Sequence, residues 1–323
     1  MTDKPILAII VPCYNEQEVL EKTSEKLFNK LQELISGDDI SKESKIVFID
    51  DGSTDNTWPL ITKYFIENSQ NFAGIKLSKN KGHQNALLCG LLTIRETIDL
   101  TISLDADLQD DIEIISKMLK EYLDGNEIVY GVRSDRTSDH FLKKFTAHCF
   151  YKLMNLLGVE IIYNHADFRL LSKNALNALA EYQEVNLFLR GIIPMLGFKT
   201  SIVSYKRNKR FAGTSKYPLG KMIKFALEGI TSFSIVPIRF ITIIGLVIFL
   251  VSLMMLSYSL LQFHRGNTVS GWSSIICSVW SIGGLILLSL GIIGEYIGKI
   301  YLETKHRPRF IIEKLLFRSK HDD

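Results

Sequence analysis

The chain has 323 residues, 46% hydrophobic and 23% charged, with a formal net charge of +3. Such averages exclude a disordered chain, a collagen-like chain and a small disulfide scaffold, and they hold too many charges for a polytopic transporter. The length allows two modules at roughly 150 residues each, and the small positive balance does not by itself point to nucleic acid.

Short apolar, β-branched runs at Ile6–Val11, Lys45–Ile49, Gly74–Leu77, Thr101–Leu104 and Ile128–Val132 alternate with helix-like stretches. The latter lie near Gln17–Ile35, Thr54–Glu67, Gln84–Glu96 and Asp111–Tyr122. This alternation predicts an α/β domain with a doubly wound, mainly parallel sheet. Ligands of open α/β sheets bind beyond the carboxyl ends of the strands, and polar clusters follow the runs at that edge. Pro12-Cys13-Tyr14-Asn15-Glu16 follows the first run and Asp50-Asp51-Gly52-Ser53 the second. Asn80-Lys81-Gly82-His83 follows the third, Asp105-Ala106-Asp107-Leu108-Gln109-Asp110 the fourth, and Gly131-Val132-Arg133 the fifth.

No GxGxxG follows the first run, and no GxxxxGK[ST] occurs. The chemistry on offer is carboxylate. Asp105 and Asp107, two apart, are hard oxygen donors that suit Mg²⁺ or Mn²⁺ on a substrate phosphate, with helix capping as the alternative. Asp110 and Asp111 read as first-turn acids of the next helix. Asp50-Asp51-Gly52-Ser53 reads equally as a turn and cap. The four cysteines, Cys13, Cys89, Cys149 and Cys277, form no CxxC pair and read as reduced thiols.

The second half changes character. Phe225–Gly294 carries only Glu228, Arg239 and Arg265 as charged residues. Phe240–Phe263 and Trp272–Gly294 are uncharged runs of 24 and 23 residues, each long enough as a helix to cross a hydrocarbon core of ~30 Å. They predict a hairpin closed by the short turn His264–Gly271. Before it, Val203–Lys224 holds Lys206, Arg207, Lys209, Arg210, Lys216, Lys221 and Lys224 and no acid. After it come Lys299, Lys305, Arg307, Arg309, Lys314, Arg318 and Lys320. Cations on both outer flanks predict both termini in the cytoplasm, and Ile6–Val11 is too short for a signal peptide. The expected organisation is a catalytic domain over 1–202, a basic juxtamembrane segment over 203–238, transmembrane helices over 239–263 and 272–298, and a basic tail over 299–323.

Together, "VPCYNE", "IDDGSTDNT" and "DADLQD" at these separations resemble the family 2 inverting glycosyltransferases of the GT-A fold. "YGVRSDR", "ADFRLLS", "LRGIIPMLGFK" and "RFAGTSKYPL", followed by two apolar runs, resemble its polyprenyl-phosphate branch. That branch includes dolichyl-phosphate mannose synthases and bactoprenol glucosyltransferases, and the two-run tail fits the bactoprenol type best.

The resemblance implies a set of roles. Pro12, Tyr14 and Glu16 would surround the nucleobase and ribose, with Asp50 on the base and Asp105 on the ribose or metal side. Asp107 and Gln109, with Asp105, would hold Mg²⁺ or Mn²⁺ on the donor diphosphate. Arg133, Arg210 and Lys216 would bind donor or acceptor phosphates. Asp167 would sit near the sugar and reacting phosphate, as a base or as a positioning group. His83 would touch sugar or phosphate, or serve as a structural loop histidine. The implied donor is UDP-glucose, with UDP-N-acetylglucosamine the alternative, and the implied acceptor is undecaprenyl or another polyprenyl phosphate. Relatives imply a homo-oligomer at the inner membrane.

Two other readings compete. A processive polysaccharide synthase is disfavoured, because QxxRW is absent and two helices are too few for a channel. An inactive scaffold or nucleotide-sugar sensor is opposed by the intact Asp105, Asp107, Asp167, Arg210 and Lys216.

Overall fold

The computed structural model describes residues 4–133, 165–184, 189–206 and 272–318, with single positions between 241 and 254. The described chain opens with β1 (Leu7–Cys13), α1 (Gln17–Ser36), β2 (Lys45–Asp50), α2 (Thr57–Glu67), β3 (Phe72–Leu77) and α3 (His83–Ile94). It continues with β4 (Leu100–Ser103), α4 (Ile114–Leu123), β5 (Ile128–Arg133), β6 (His165–Ser172), α5 (Lys173–Ala180) and α6 (Leu189–Met195). The last elements are β7 (Thr200–Tyr205), α7 (Trp272–Thr304) and β8 (Ile312–Leu316).

The eight strands form one sheet in the order β7-β5-β6-β4-β1-β2-β3-β8. β1 is buried along its whole length, as expected of a central strand covered by helices on both faces. The side chains of α1, α2 and α4 pack one apolar cluster on one face of the sheet; α3, α5 and α6 pack a second on the other. In α1 the buried positions Val19, Leu20, Leu27, Leu31 and Leu34 fall on one stripe, the signature of a surface helix.

The first five strands and four helices lie within three residues of their expected bounds. The sheet itself is mixed. β4–β1–β2–β3 is parallel, whereas β6 runs antiparallel to both β4 and β5, and β8 runs antiparallel to β3. This reversal of β6 matters for the chemistry, because it brings the start of that strand to the carboxyl ends of its neighbours.

Two expected boundaries shift. β7 crosses the 202/203 division: Val203 and Tyr205 are buried in the sheet, so the catalytic domain reaches at least Tyr205. The tail is not simply a basic extension, because Ile312–Leu316 covers the outer edge of β3. Phe310, Ile312 and Phe317 pack on the core there, and Lys76 Nζ lies 3.1 Å from Glu313 Oε2.

The second expected membrane arm is a helix of 33 residues, ending at Thr304 instead of 298. Several of its side chains lie outside the description. Among the described residues no helix is long and apolar enough to cross a membrane. Most of the first arm, 239–263, also lies outside the described residues, as do Arg210, Lys216 and the rest of the basic segment beyond Lys206.

Candidate active site

The carboxyl ends of β1, β2, β3 and β4 and the start of β6 meet at one edge of the sheet. The first two loops are joined mainly by neutral hydrogen bonds, together with one from Gln17 N–H to Asp55 Oδ2 at 3.3 Å. Asn15 adopts a left-handed backbone, φ 52°, which asparagine tolerates better than most residues. Its N–H donates to Ser53 Oγ and its Oδ1 accepts from Thr54 N–H, both at 2.9 Å. Glu16 N–H donates to Thr57 Oγ1 at 3.0 Å. Pro12 is buried at the end of β1, Tyr14 is exposed and Glu16 is half-buried. Asp50, wholly buried, accepts Ser53 N–H on Oδ1 at 3.0 Å. Its Oδ2 is buried without a hydrogen-bond partner, and burial pushes its pKa up. Such a buried acceptor is one that a bound hydrogen-bond donor would satisfy.

The neighbouring Asp51 has a different task. Its Oδ1 and Oδ2 accept the N–H groups of Lys81 and Gly82 at 2.7 and 2.9 Å. Gly52 between the two loops has φ +68°, and a Cβ there would lie 2.6 Å from the Lys79 carbonyl carbon. Only glycine meets both conditions. The β3–α3 loop is thereby pressed onto the β2 loop, and its last turn delivers His83 as the first residue of α3.

His83 stands between two carboxylates: Nε2 is 3.5 Å from Asp105 Oδ1 and 3.6 Å from Asp167 Oδ2. Burial alone would lower its pKa. The Asp167 bond and the charges of Asp105 and Asp167 outweigh burial and raise it to about 9. Asp167 is further gripped by Arg169, two residues along β6, and by Arg190 from α6. Arg169 Nη2 bonds Oδ1 at 2.5 Å, and Arg190 Nη2 bonds Oδ2 at 3.1 Å. Arg190 Nε also donates to Oδ1, at 3.3 Å. Burial would raise the Asp167 pKa. Arg190, His83 and Arg169 together hold it well below the usual carboxylate range. Asp167 is therefore a fixed anion and a poor general base.

The β4 loop carries the remaining acids. Thr23 Oγ1 donates to the Ala106 carbonyl at 2.7 Å, fixing the loop to α1. Asp107 Oδ1 accepts Gln109 N–H at 3.1 Å. Asp110 is buried and accepts the Tyr205 hydroxyl, while Arg133 Nη2 lies 3.6 Å from the same Asp110 oxygen. Burial and the nearby Asp105 raise the Asp110 pKa to about 6 against the pull of Tyr205 and Arg133. Among the described residues, no group of three or more His, Cys, Asp or Glu side chains could hold a metal ion unaided. Two carboxylates and an amide, beside the open buried Oδ2 of Asp110, suit a hard cation whose other ligands are substrate phosphates and water.

Residues 8–180 match the sequence model of the family "Glycosyl transferase family 2". An uncharacterized glycosyltransferase of Bacillus subtilis, YkoT, is 51% identical over 317 residues, spanning 98% of this chain and 94% of the relative. The chain belongs to glycosyl transferase family 2. The bactoprenol glucosyl transferase of Shigella phage SfX is 38% identical over 309 residues, 95% of this chain and 98% of that one. The mannosyl-3-phosphoglycerate synthase structure from Rubrobacter xylanophilus overlays with a TM-score of 0.48 at 15% identity, covering 69% of this chain and 71% of that one.

This family 2 glycosyltransferase gathers Pro12, Tyr14, Glu16, Asp50, Asp105, Asp107, Gln109, Arg133 and Asp167 at one sheet edge. Sequence reasoning missed Asp51, Arg169 and Arg190. It also misread Asp110, which is a buried partner of Tyr205 four residues before α4 and not a first-turn acid of that helix. Signals for two of them were present: Arg169 lies in "ADFR" and Arg190 in "LRGIIPM".

Proposed function

We propose that this glycosyltransferase moves glucose from UDP-glucose to undecaprenyl or another polyprenyl phosphate at the cytoplasmic face of the membrane. The observation that carries the reading is the near full-length similarity to proteins named bactoprenol glucosyl transferase, at 37–38% identity. The site chemistry supports it. An acceptor phosphate oxygen forms the new bond to the anomeric carbon, the bond to the donor diphosphate breaks, and its electron pair leaves with the diphosphate. A phosphate acceptor is already an anion near neutral pH and needs no strong base, which agrees with an Asp167 locked in its ionised form.

In this reading Pro12, Tyr14, Glu16 and Asp50 form the nucleoside end, and Asp105, Asp107 and Gln109 would hold Mg²⁺ or Mn²⁺ at the diphosphate. The cation would neutralise charge developing on the leaving group. Arg133 would serve the same phosphates, and Arg210 and Lys216 the acceptor side. The two uncharged runs would form the membrane hairpin. The acid-free stretch before it would draw anionic headgroups at roughly 1 kcal/mol per cation near the surface.

The test is direct. Purified full-length protein with undecaprenyl phosphate, Mg²⁺ or Mn²⁺ and a panel of nucleotide sugars should form a sugar-phospholipid, UDP-glucose giving the highest rate. Asp107→Ala should bring the product below detection while the protein still melts cooperatively. Full activity in that variant or in EDTA would remove the metal assignment. No product with any donor would remove the reaction itself, and product with all donors equally, or at a higher rate with another donor, would remove the choice of glucose.

A further inference from the structure

We propose that Tyr205 is a positioning residue of the cation site, acting through Asp110 to hold the loop that carries Asp107 and Gln109. The proposal rests on the cation assignment above and adds to that site a residue from a distant strand. The loop itself comes first. Leu108 lies between the two assigned ligands and has a left-handed backbone, φ 55°. Leucine has no short polar side chain to support that conformation, so the shape depends on what holds the loop around it. Within the loop, Asp107 Oδ1 accepts Gln109 N–H at 3.1 Å. At its front, the Ala106 carbonyl accepts Thr23 Oγ1 at 2.7 Å. At its back, Asp110 Oδ1 accepts the Tyr205 hydroxyl. Asp107 and Gln109 lie between these two anchors.

The rear anchor has a fixed direction. Arg133 and Tyr205 are register partners on β5 and β7. An arginine side chain can only donate. Arg133 Nε donates to the Tyr205 hydroxyl at 3.4 Å, so the hydroxyl oxygen accepts there and its proton goes to Asp110. Arg133 Nη2, 3.6 Å from Asp110 Oδ1, closes the triangle. The Asp110 side chain is 2% exposed, and a carboxylate so buried needs its donors. Asp110 also stands near enough to Asp105 and Asp107 to feel both charges. A shift of Asp110 would therefore move the loop and the field at the assigned ligands together.

The hydroxyl can be separated from the ring. The Tyr205 ring is buried and meets Phe168 edge-to-face, with centroids 5.6 Å apart. Phenylalanine keeps that packing and removes the bond to Asp110. Hydrogen-bond partners behind a metal site are commonly worth about tenfold or more in metal affinity.

The experiment uses the full-length enzyme in nanodiscs with UDP. Mn²⁺ binding is read from the loss of the free-ion EPR signal, against a blank of UDP alone. Tyr205→Phe should weaken Mn²⁺ binding about tenfold or more, while UDP affinity measured in EDTA stays within about twofold. In an Asp110→Asn background the same change should have no further effect on Mn²⁺, as expected of two residues acting as one unit. If Tyr205→Phe does not fold, Asp110→Asn decides by the same Mn²⁺ ratio. Mn²⁺ binding within about twofold of wild type, a parallel loss of UDP affinity in EDTA, or additive losses in the double variant overturns the proposal. A wild-type enzyme that binds no Mn²⁺ with UDP overturns the cation assignment beneath it instead.

Discussion

The paired loops after β1 and β2 and the Asp167 centre are built by opposite means. At the first, Asn15, Ser53, Thr54 and Thr57 join two loops through neutral hydrogen bonds near 3 Å. At the second, Asp105, His83, Asp167, Arg169 and Arg190 hold one another by charge. Neutral bonds to backbone give shape that salt and pH barely touch. Charges in a half-buried place give a site whose geometry depends on every member being ionised. The contrast teaches a division of labour: one region is fixed in shape by its loops, whereas the other is held by a field, and in the proposed function the first takes the nucleoside and the second the reacting phosphates.

The sharpest way to break the comparison is Asp167→Asn. It leaves the buried Arg169 without its counter-ion, and such losses cost about 3–5 kcal/mol. Thermal melting of the purified enzyme should fall by several degrees, and replacing Arg169 by Met in the same variant should restore much of it. A melting temperature equal to wild type would mean that the charged centre is not structural at all.

Asp51→Ala is next. It strips the Lys81 and Gly82 N–H groups of their acceptor, about 1–3 kcal/mol, and frees the loop that delivers His83. Hydrogen exchange at the start of α3 should speed up. Unchanged protection would separate the loop from Asp51.

A third measurement follows pH. The folded-state pKa of His83 is raised from 6.5 to about 9. The folded protein therefore holds this proton more tightly than the unfolded chain does. The resulting stabilisation is complete below pH 6.5 and is lost as pH rises through about 9. The stability difference between wild type and His83→Gln, taken without divalent cation, should shrink across that window. A flat difference would place His83 outside the charged centre. The smallest effect should come from Ser53→Ala, about 1 kcal/mol, read as the fall in thermal melting. A loss as large as that of Asp167→Asn would erase the distinction between the two regions.

Much of this was readable beforehand, for definite reasons. The strands β1 to β5 are nearly unbroken apolar runs, and parallel strands covered on both faces must be. The strand-end acids stand out because each follows such a run. β6 was hidden because HADFRLLS buries an arginine, which reads as surface until its partner is known. β7 was absorbed into the basic segment that begins inside it, and the charged strand IEKLL at the sheet edge looks like tail. Arg190 could not be joined to Asp167, 23 residues away, by any local pattern; only the reversal of β6 and the packing of α6 bring them together.

The closing strand has a consequence in time. Lys76 on β3 meets Glu313 beside it across 237 residues of chain. At roughly 5–20 residues per second, a ribosome needs on the order of ten seconds or more to supply β8 after β3 has emerged. For that interval the catalytic sheet waits with an open edge, of the kind that invites pairing between nascent chains. The last of the described strands is the one that ends the wait.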